Sequence, residues 1–215
     1  MDGPAGSGKS TVAKALATRL GYLYLDTGAL YRAVAWSVQA NGIDPADHDA
    51  VVKLLAGTRI RMEPSPGSYA VWVGEREVTG ELRTPEISRL ASIVSAIPAV
   101  REWLLPLQRE IGGRRGVVAE GRDIGTRVFP TADVKFFLEA DPAVRAQRRH
   151  RELVAAGESG ALDRTRAELD GRDERDRSRA IAPLARAADA HVIDTSTLDV
   201  EQVITRMLTE ISSKL

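Results

Sequence analysis

The sequence predicts an α/β fold, in which parallel strands are flanked by helices, and three observations support it. A loop rich in small residues, at positions 3–11, leads straight into a helical pattern from residue 10 to about residue 20. Short apolar runs at 22–25 and 116–119 each end in a polar turn that contains glycine, as strands in such sheets do at their carboxyl ends. A hydrophobic content of 43% with 28% charged residues is that of a globular chain.

The composition restricts the class of protein. The 215 residues suit one domain, and the lack of cysteine excludes disulfides, thiol catalysis and cysteine-based zinc sites. Thirty basic residues balance thirty acidic ones, which argues against nucleic acid or a membrane surface as a partner. No run approaches the roughly 18 apolar residues of a membrane span. We therefore expect a cytoplasmic monomer with small-molecule partners.

The basic residues are strongly biased toward arginine, since only five of the 30 are lysine. A guanidinium group is a planar fork that binds a phosphate through two hydrogen bonds, whereas the lysine ammonium acts as a point charge. The bias therefore favours a protein that binds phosphorylated molecules.

The loop at 3–11 matches the phosphate-binding pattern G-x-x-x-x-G-K-[ST]. Small residues let the backbone curl so that successive N–H groups point at phosphate oxygens, and the following helix adds the positive end of its dipole. Lys9 can reach the β- and γ-phosphates, and the Ser10 hydroxyl can ligate Mg²⁺. The predicted phosphate-binding residues are Gly3, Pro4, Ala5, Gly6, Ser7, Gly8, Lys9, Ser10 and Thr11.

A strand should precede this loop, yet only Met1 and Asp2 do so. Without that strand the predicted sheet would lack its middle. We therefore expect several more apolar residues upstream of Met1 in the full protein.

Other phosphate-binding classes lack their motifs in this chain. We find no D-x-x-G with N-K-x-D, as in GTPases, no L-S-G-G-Q-like signature, as in transporter ATPases, and no apolar strand ending in adjacent acids, as in motor ATPases. Many arginines instead lie far from the loop. Such spacing suits a small kinase that must neutralise two phosphorylated substrates from several sides.

Three segments are candidates for the second substrate. At 26–32, Thr27 is placed to cap a helix that carries Tyr31 and Arg32 in its first turns. At 116–125, an apolar strand leads Arg122 and Asp123 into a turn flanked by glycines. The run 172–179 has four arginines among eight residues; by itself it fits a solvated helix as well as a lid over a triphosphate.

Together these motifs resemble the bacterial cytidylate kinases, a branch of the nucleoside monophosphate kinases. The resemblance rests on D-G-P-x-G-x-G-K-[ST]-T, D-[ST]-G-A-x-Y-R, G-R-D-x-G-T at 121–126 and R-D-x-x-D-R-x-R-A-x-A-P at 172–183, in the family's order. It implies transfer of the γ-phosphate of ATP to CMP or dCMP with Mg²⁺. It also implies one P-loop kinase domain with a core of five parallel strands (1–30, 114–145 and 183–215), a nucleotide-binding insertion (31–113) and a short lid (146–182).

The resemblance assigns roles on the acceptor side. It implies acceptor contacts from Thr27, Tyr31 and Arg32, ribose contacts from Arg172 and Asp176, and cytosine contacts from Ser92, Arg101 and Asp123. Cytosine carries an N4 amine beside the N3 and O2 acceptors, so Asp123 with Ser92 would accept from N4 while Arg101 donates to N3 and O2. Uracil reverses the donor at position 4 and would leave acceptors unpaired.

The resemblance also assigns the phosphate ligands. It implies that Arg122 and Arg179 bind phosphate and, with Lys9, stabilise the transferred group, and that Arg148 and Arg175 contact ATP. Two alternatives stay open. One is a P-loop kinase of another acceptor, such as UMP, AMP, dephospho-coenzyme A or shikimate; the other is a non-catalytic module that binds nucleotide or RNA.

Overall fold

The computed structural model describes residues 1–113, 116–158 and 160–214. Its helices are α1 Lys9–Leu20, α2 Thr27–Ala40, α3 His48–Gly57, α4 Pro85–Val94, α5 Pro98–Gly112, α6 Pro142–Ala155, α7 Leu162–Ser178 and α8 Val200–Ser212. Its strands are β1 Leu23–Asp26, β2 Ile60–Ser65, β3 Ser68–Val73, β4 Arg76–Glu77, β5 Val117–Glu120, β6 Phe136–Glu139 and β7 His191–Asp194. The predicted α/β class is confirmed.

The chain divides into two compact units. The first, which we call the phosphate-loop unit, joins Met1–Val12 to Gly121–Leu215. The second, the insertion unit, is Ala13–Glu120. The predicted boundary between insertion and core, at residues 113 and 114, adjoins residues 114–115, which lie outside the described part of the chain.

In the phosphate-loop unit, β6 and β7 run parallel, with Phe136 opposite His191 and Glu139 opposite Asp194. Asp2 pairs with β6 at a single residue: its N–H donates to the Phe136 carbonyl at 2.9 Å, and its own carbonyl accepts from the Leu138 N–H at 2.8 Å. Gly3 follows at φ +147°, where a Cβ atom would lie 2.0 Å from the Leu138 carbonyl oxygen. Only glycine fits this position.

In the insertion unit, β1 and β5 run parallel from Leu23 opposite Val117 to Asp26 opposite Glu120. The alternating segments 59–63 and 69–74, joined by Pro-Ser-Pro-Gly, predict a β-hairpin. The structure confirms it as β2 and β3, which pair antiparallel, and β4 adds a short third strand. The core contains large side chains with no exposed surface: Leu25, Leu30, Val34, Leu82 and Leu104. Each such side chain contributes roughly 1.5–3 kcal/mol through burial.

Local sequence explains where several helices begin. Thr84 accepts from the Ile87 N–H ahead of α4, whose first residue is Pro85. The sequence predicts a helix start at Pro98, because the fixed φ of proline suits the first helical position, and α5 begins there. At α8, Asp199 and Gln202 form a reciprocal capping box.

The prediction of one five-stranded parallel sheet is wrong for the described residues. They contain two separate two-stranded parallel sheets, β1–β5 and β6–β7, and the three-stranded antiparallel sheet. The physical reason is that the hydrogen-bonded ladder is interrupted at Met1 and Asp2. Met1 accepts one bond from the Gly121 N–H, and Asp2 pairs with β6 as an isolated bridge rather than as a strand.

Among the described residues, no single helix is long and apolar enough to cross a membrane. In the described part of the chain, one pair of helices, α4 and α5, is long and apolar enough when taken together, but it is bent by 103°.

Candidate functional site

The phosphate loop occupies the turn between the Asp2 bridge and α1. Gly6 and Gly8 have φ of +75° and +86°, which glycine adopts without strain. The Lys9 ammonium is buried and donates to the Pro4 carbonyl at 2.6 Å, and the Ser7 hydroxyl donates to the same oxygen at 3.0 Å. The Lys9 side chain therefore lies inside the turn of the loop and bonds to the loop backbone.

The Ser10 and Thr11 side chains are exposed at the start of α1. The described residues contain no group of three or more histidine or acidic side chains that could hold a metal ion. Mg²⁺ commonly binds through one or two protein oxygens together with substrate phosphates and water. The exposed Ser10 hydroxyl beside the loop fits the role of such a protein oxygen.

Two side chains from outside the loop hold its carbonyl groups. Arg145 of α6 donates to the Ala5 carbonyl at 3.0 Å, and the Thr195 hydroxyl donates to the Ser7 carbonyl at 3.1 Å. Arg148, which was predicted to contact ATP, donates to the Thr195 hydroxyl at 2.9 Å. A Cβ atom on Gly8 would lie 4.0 Å from the Arg148 guanidinium, so Arg148 lies beside the loop.

Asp2 holds the turn that directly follows two of the predicted acceptor residues, Arg122 and Asp123. Its buried carboxylate accepts from the Ile124 N–H at 2.8 Å and the Gly125 N–H at 2.7 Å. These donors begin a single wide helical turn, Ile124–Val128, directly after Asp123. Nothing near Asp2 in the sequence indicates this role, because the bonds join residues more than 120 positions apart.

A cluster of arginines surrounds the Asp176 carboxylate on α7. Arg122 donates to it at 2.8 Å, Arg179 forms a second ion pair, and Arg172 adds a third positive charge. Burial would raise the pKa of Asp176, but the charges of these three arginines outweigh burial and hold that pKa below its ordinary value. Three guanidinium groups therefore lie around this one carboxylate, and arginine clusters of this kind are typical of sites that bind anions. The structure thus brings together all four of these predicted residues.

The remaining predicted residue of α7, Arg175, lies on the exposed side of the helix. The buried side carries Thr165, Leu169, Asp173 and Asp176. The run at 172–179 is therefore more than a solvated helix, because two of its acids are buried.

In the insertion unit, Asp26 organises a second charged cluster. Its carboxylate accepts from Arg32 at 2.7 Å, Tyr69 at 2.9 Å and Arg83 at 3.3 Å. Burial would raise the pKa of Asp26, but Arg32, Arg83 and the Tyr69 hydroxyl hold it below the ordinary value. Arg32 was predicted as an acceptor ligand; Tyr69 and Arg83 were missed, since only the fold brings the hairpin and residue 83 beside the start of α2.

The prediction that Thr27 caps α2 is wrong. Asp26 is the cap residue, and its carboxylate accepts from the Ala29 N–H at 3.1 Å. Thr27 is instead the first helical residue, and its buried hydroxyl donates to the Glu120 carbonyl at 2.8 Å. Tyr24 donates to the Glu120 carboxylate at 2.9 Å, and burial together with that charge raises the pKa of Tyr24.

The predicted base-reading residues belong to both units. Arg101 of α5 is buried, donates to the Ser95 carbonyl at 3.2 Å, and places its guanidinium 5.3 Å from the centre of the Tyr31 ring. Ser92 is buried on α4 in the same unit. Asp123, also buried, belongs to the phosphate-loop unit. Contact of all three with one base stays a prediction.

Comparison with known proteins gives consistent matches. A family model described as "Cytidylate kinase" matches residues 1–213. The chain is similar to the cytidylate kinase of Carboxydothermus hydrogenoformans, at 46% identity over 100% of this chain and 96% of that relative. It is similar to the cytidylate kinase of Pelotomaculum thermopropionicum, at 45% identity over 99% and 95%. It also matches a bifunctional pantoate ligase/cytidylate kinase of Synechococcus elongatus at 46% identity, where it spans 40% of the relative's length.

Proposed function

The chain belongs to the cytidylate kinase family, and on that premise we propose that it transfers the γ-phosphate of ATP to CMP or dCMP. The products are ADP and CDP or dCDP. One observation carries the proposal beyond the family name. A phosphate-binding loop and a cluster of three arginines around Asp176 occur in the same compact unit.

The proposed reaction is an in-line attack by an oxygen of the acceptor phosphate on the γ-phosphorus. That oxygen is already ionised at neutral pH, so no general base is needed. The protein aligns the two nucleotides and stabilises the charge on the γ-phosphoryl group during its transfer. Loop N–H groups and Lys9 would hold the donor phosphates, with Arg148 beside the loop. Arg122 and Arg179 would bind the acceptor phosphate and stabilise the transferred group.

Mg²⁺ would be held by the Ser10 hydroxyl together with the donor phosphates. When bound, it neutralises phosphate charge.

The acceptor assignment rests on chemistry rather than on observed contacts. Arg32 is held by Asp26 with its orientation fixed, which suits a residue that must meet a phosphate without reorganising. Arg101 is buried and stacked near Tyr31, as a donor that reads N3 and O2 of a base would be. Asp176 would accept from ribose hydroxyls beside Arg172. Because dCMP lacks the 2′-hydroxyl, loss of Asp176 should affect CMP more than dCMP if it reads that position.

A coupled assay of ADP release, with CMP, dCMP, UMP and AMP as acceptors, tests the proposal. We expect turnover with CMP and dCMP and much weaker turnover with UMP, because an Asp facing uracil O4 leaves two acceptors unpaired. Equal rates with UMP and CMP would contradict the cytosine assignment. An absence of turnover with every monophosphate, together with RNA binding that weakens steeply with salt, would favour the non-catalytic alternative.

A further inference from the structure

A buried ion pair forms hydrogen bonds with both the N–H and the carbonyl of one residue of the phosphate loop. The proposed reaction assigns no role to this pair. The Ala5 N–H donates to one oxygen of Asp173 at 3.3 Å, while Arg145 donates to the Ala5 carbonyl at 3.0 Å and to the other oxygen of Asp173. Asp173 and Arg145 are only 2% and 5% exposed. We call this arrangement the Ala5 clamp.

Packing around the Ala5 clamp leaves the loop little room to move against α6 and α7. Ala5, Ala146 of α6 and Leu169 of α7 form a buried apolar cluster. Gly6 lies so close to α6 that a Cβ atom there would approach the Arg145 carbonyl oxygen to 2.9 Å. The loop backbone at Ala5 is therefore built against these two helices.

The same helix carries the predicted acceptor residues. Asp173 follows Arg172 directly and lies one turn before Asp176 on α7. An α-helix moves as a rigid element over such a short span, so a displacement of Asp173 displaces Arg172 and Asp176 as well.

We propose that Asp173 and Arg145 are positioning residues, which link the conformation of the phosphate loop at Ala5 to the placement of Arg172 and Asp176. Donor binding fixes the conformation of the loop backbone at Ala5. Through the Ala5 clamp this conformation fixes the position of α7, and the acceptor then binds more tightly to Arg172 and Asp176. By linkage, the acceptor strengthens donor binding by the same factor. The inference rests on the proposed function, because it takes ATP and CMP as the two ligands.

The test measures the CMP dissociation constant by calorimetry, with and without a saturating non-hydrolysable ATP analogue. Three proteins are compared: the wild type, the double variant Arg145→Met/Asp173→Leu, and a control, Arg164→Met/Glu168→Leu. The double variant replaces both buried charges by apolar groups of similar size, which preserves the fold far better than removal of one partner. The control removes an exposed ion pair from α7 that makes no described contact with the loop.

We expect the ATP analogue to tighten CMP binding by about fivefold or more in the wild type and in the control, as coupling between sites typically does. In the double variant the analogue should change the CMP dissociation constant by less than about twofold. Without the analogue, the CMP dissociation constant of the double variant should lie within about threefold of the wild-type value. A lower melting temperature alone would not remove the coupling, so this readout separates positioning from stability.

Two outcomes overturn the inference. The double variant can retain the full coupling factor, or the wild type can bind both ligands with no coupling at all. A failure of the proposed function gives a different result, because the wild type would then bind no CMP under either condition.

Discussion

Two aspartates lie three residues apart on the buried side of α7, and they differ in the number of arginines around them. Asp173 forms a closed pair with Arg145, and both side chains also bond the backbone of Ala5. Asp176 instead lies among three arginines, Arg122, Arg172 and Arg179. We expect the single buried pair to position the loop and the arginine cluster to bind an anionic ligand.

The largest expected effect comes from breaking the buried pair of Asp173 and Arg145. Asp173→Asn leaves Arg145 buried without its counter-charge, which should lower the free energy of unfolding by about 3–5 kcal/mol. Urea denaturation measures it, with Glu168→Gln as a control at a 61% exposed position of the same helix. A loss as small as that of the control would mean that the pair is not a structural unit.

The next effect concerns the arginine cluster around Asp176. Arg122→Ala should reduce kcat/KM for CMP by about 10²–10³-fold, as loss of one donor to a charged transition state does. The fold should tolerate the change, because Asp176 keeps Arg179 and Arg172 as partners. ADP release measures the rate, and Arg166→Ala, exposed on α7, serves as the control. Unchanged kinetics in Arg122→Ala would remove this arginine from the site.

The third effect concerns Asp26, the carboxylate that takes the place of Asp176 in the charged cluster of the insertion unit. The pKa of Asp26 is lower in the folded protein than its ordinary value of 3.8, so between the two values the unfolded chain binds more protons. The stability that this carboxylate contributes is therefore complete above about pH 4 and is lost as pH falls through the folded pKa.

Melting temperatures of the wild type and Asp26→Asn between pH 6 and pH 3 test this. The difference between them should be largest near pH 6 and should narrow toward pH 3. A difference that stays constant over the whole range would show that the Asp26 charge does not contribute to stability.

The smallest effect is expected where the same residue types meet at the surface. Arg164 and Glu168 pair at 3.1 Å on α7, but their side chains are 79% and 61% exposed. Arg164→Ala should change the free energy of unfolding by less than about 0.5 kcal/mol, because solvent screens exposed pairs. A loss as large as that of Asp173→Asn would invalidate burial as the basis of the comparison.

The sequence was sufficient wherever local pattern determines structure. The loop at 3–11, the hairpin β2–β3 and the start of α5 at Pro98 followed from spacing, turn residues and proline geometry. The cap of α2 was misassigned because Asp26 and Thr27 are both good cap residues, and only the structure distinguishes them.

Contacts across long separations could not be predicted from the sequence. The Ala5 clamp joins residues 168 and 140 positions apart, and nothing local to Ala5 or Asp173 indicates it. The charge run at 172–179 shows why: its acids at 173 and 176 look alike in sequence, yet one pairs with α6 and the other with Arg122.

One calorimetric titration tests the central contrast between the two aspartates most directly. CMP alone is titrated into the wild type, Arg122→Ala and Arg145→Met/Asp173→Leu. Loss of one charge-assisted bond of about 1.5 kcal/mol or more should weaken CMP binding at least about tenfold in Arg122→Ala. The double variant should stay within about threefold of the wild type. Equal weakening in both variants would contradict the division between a single buried pair that positions and an arginine cluster that binds.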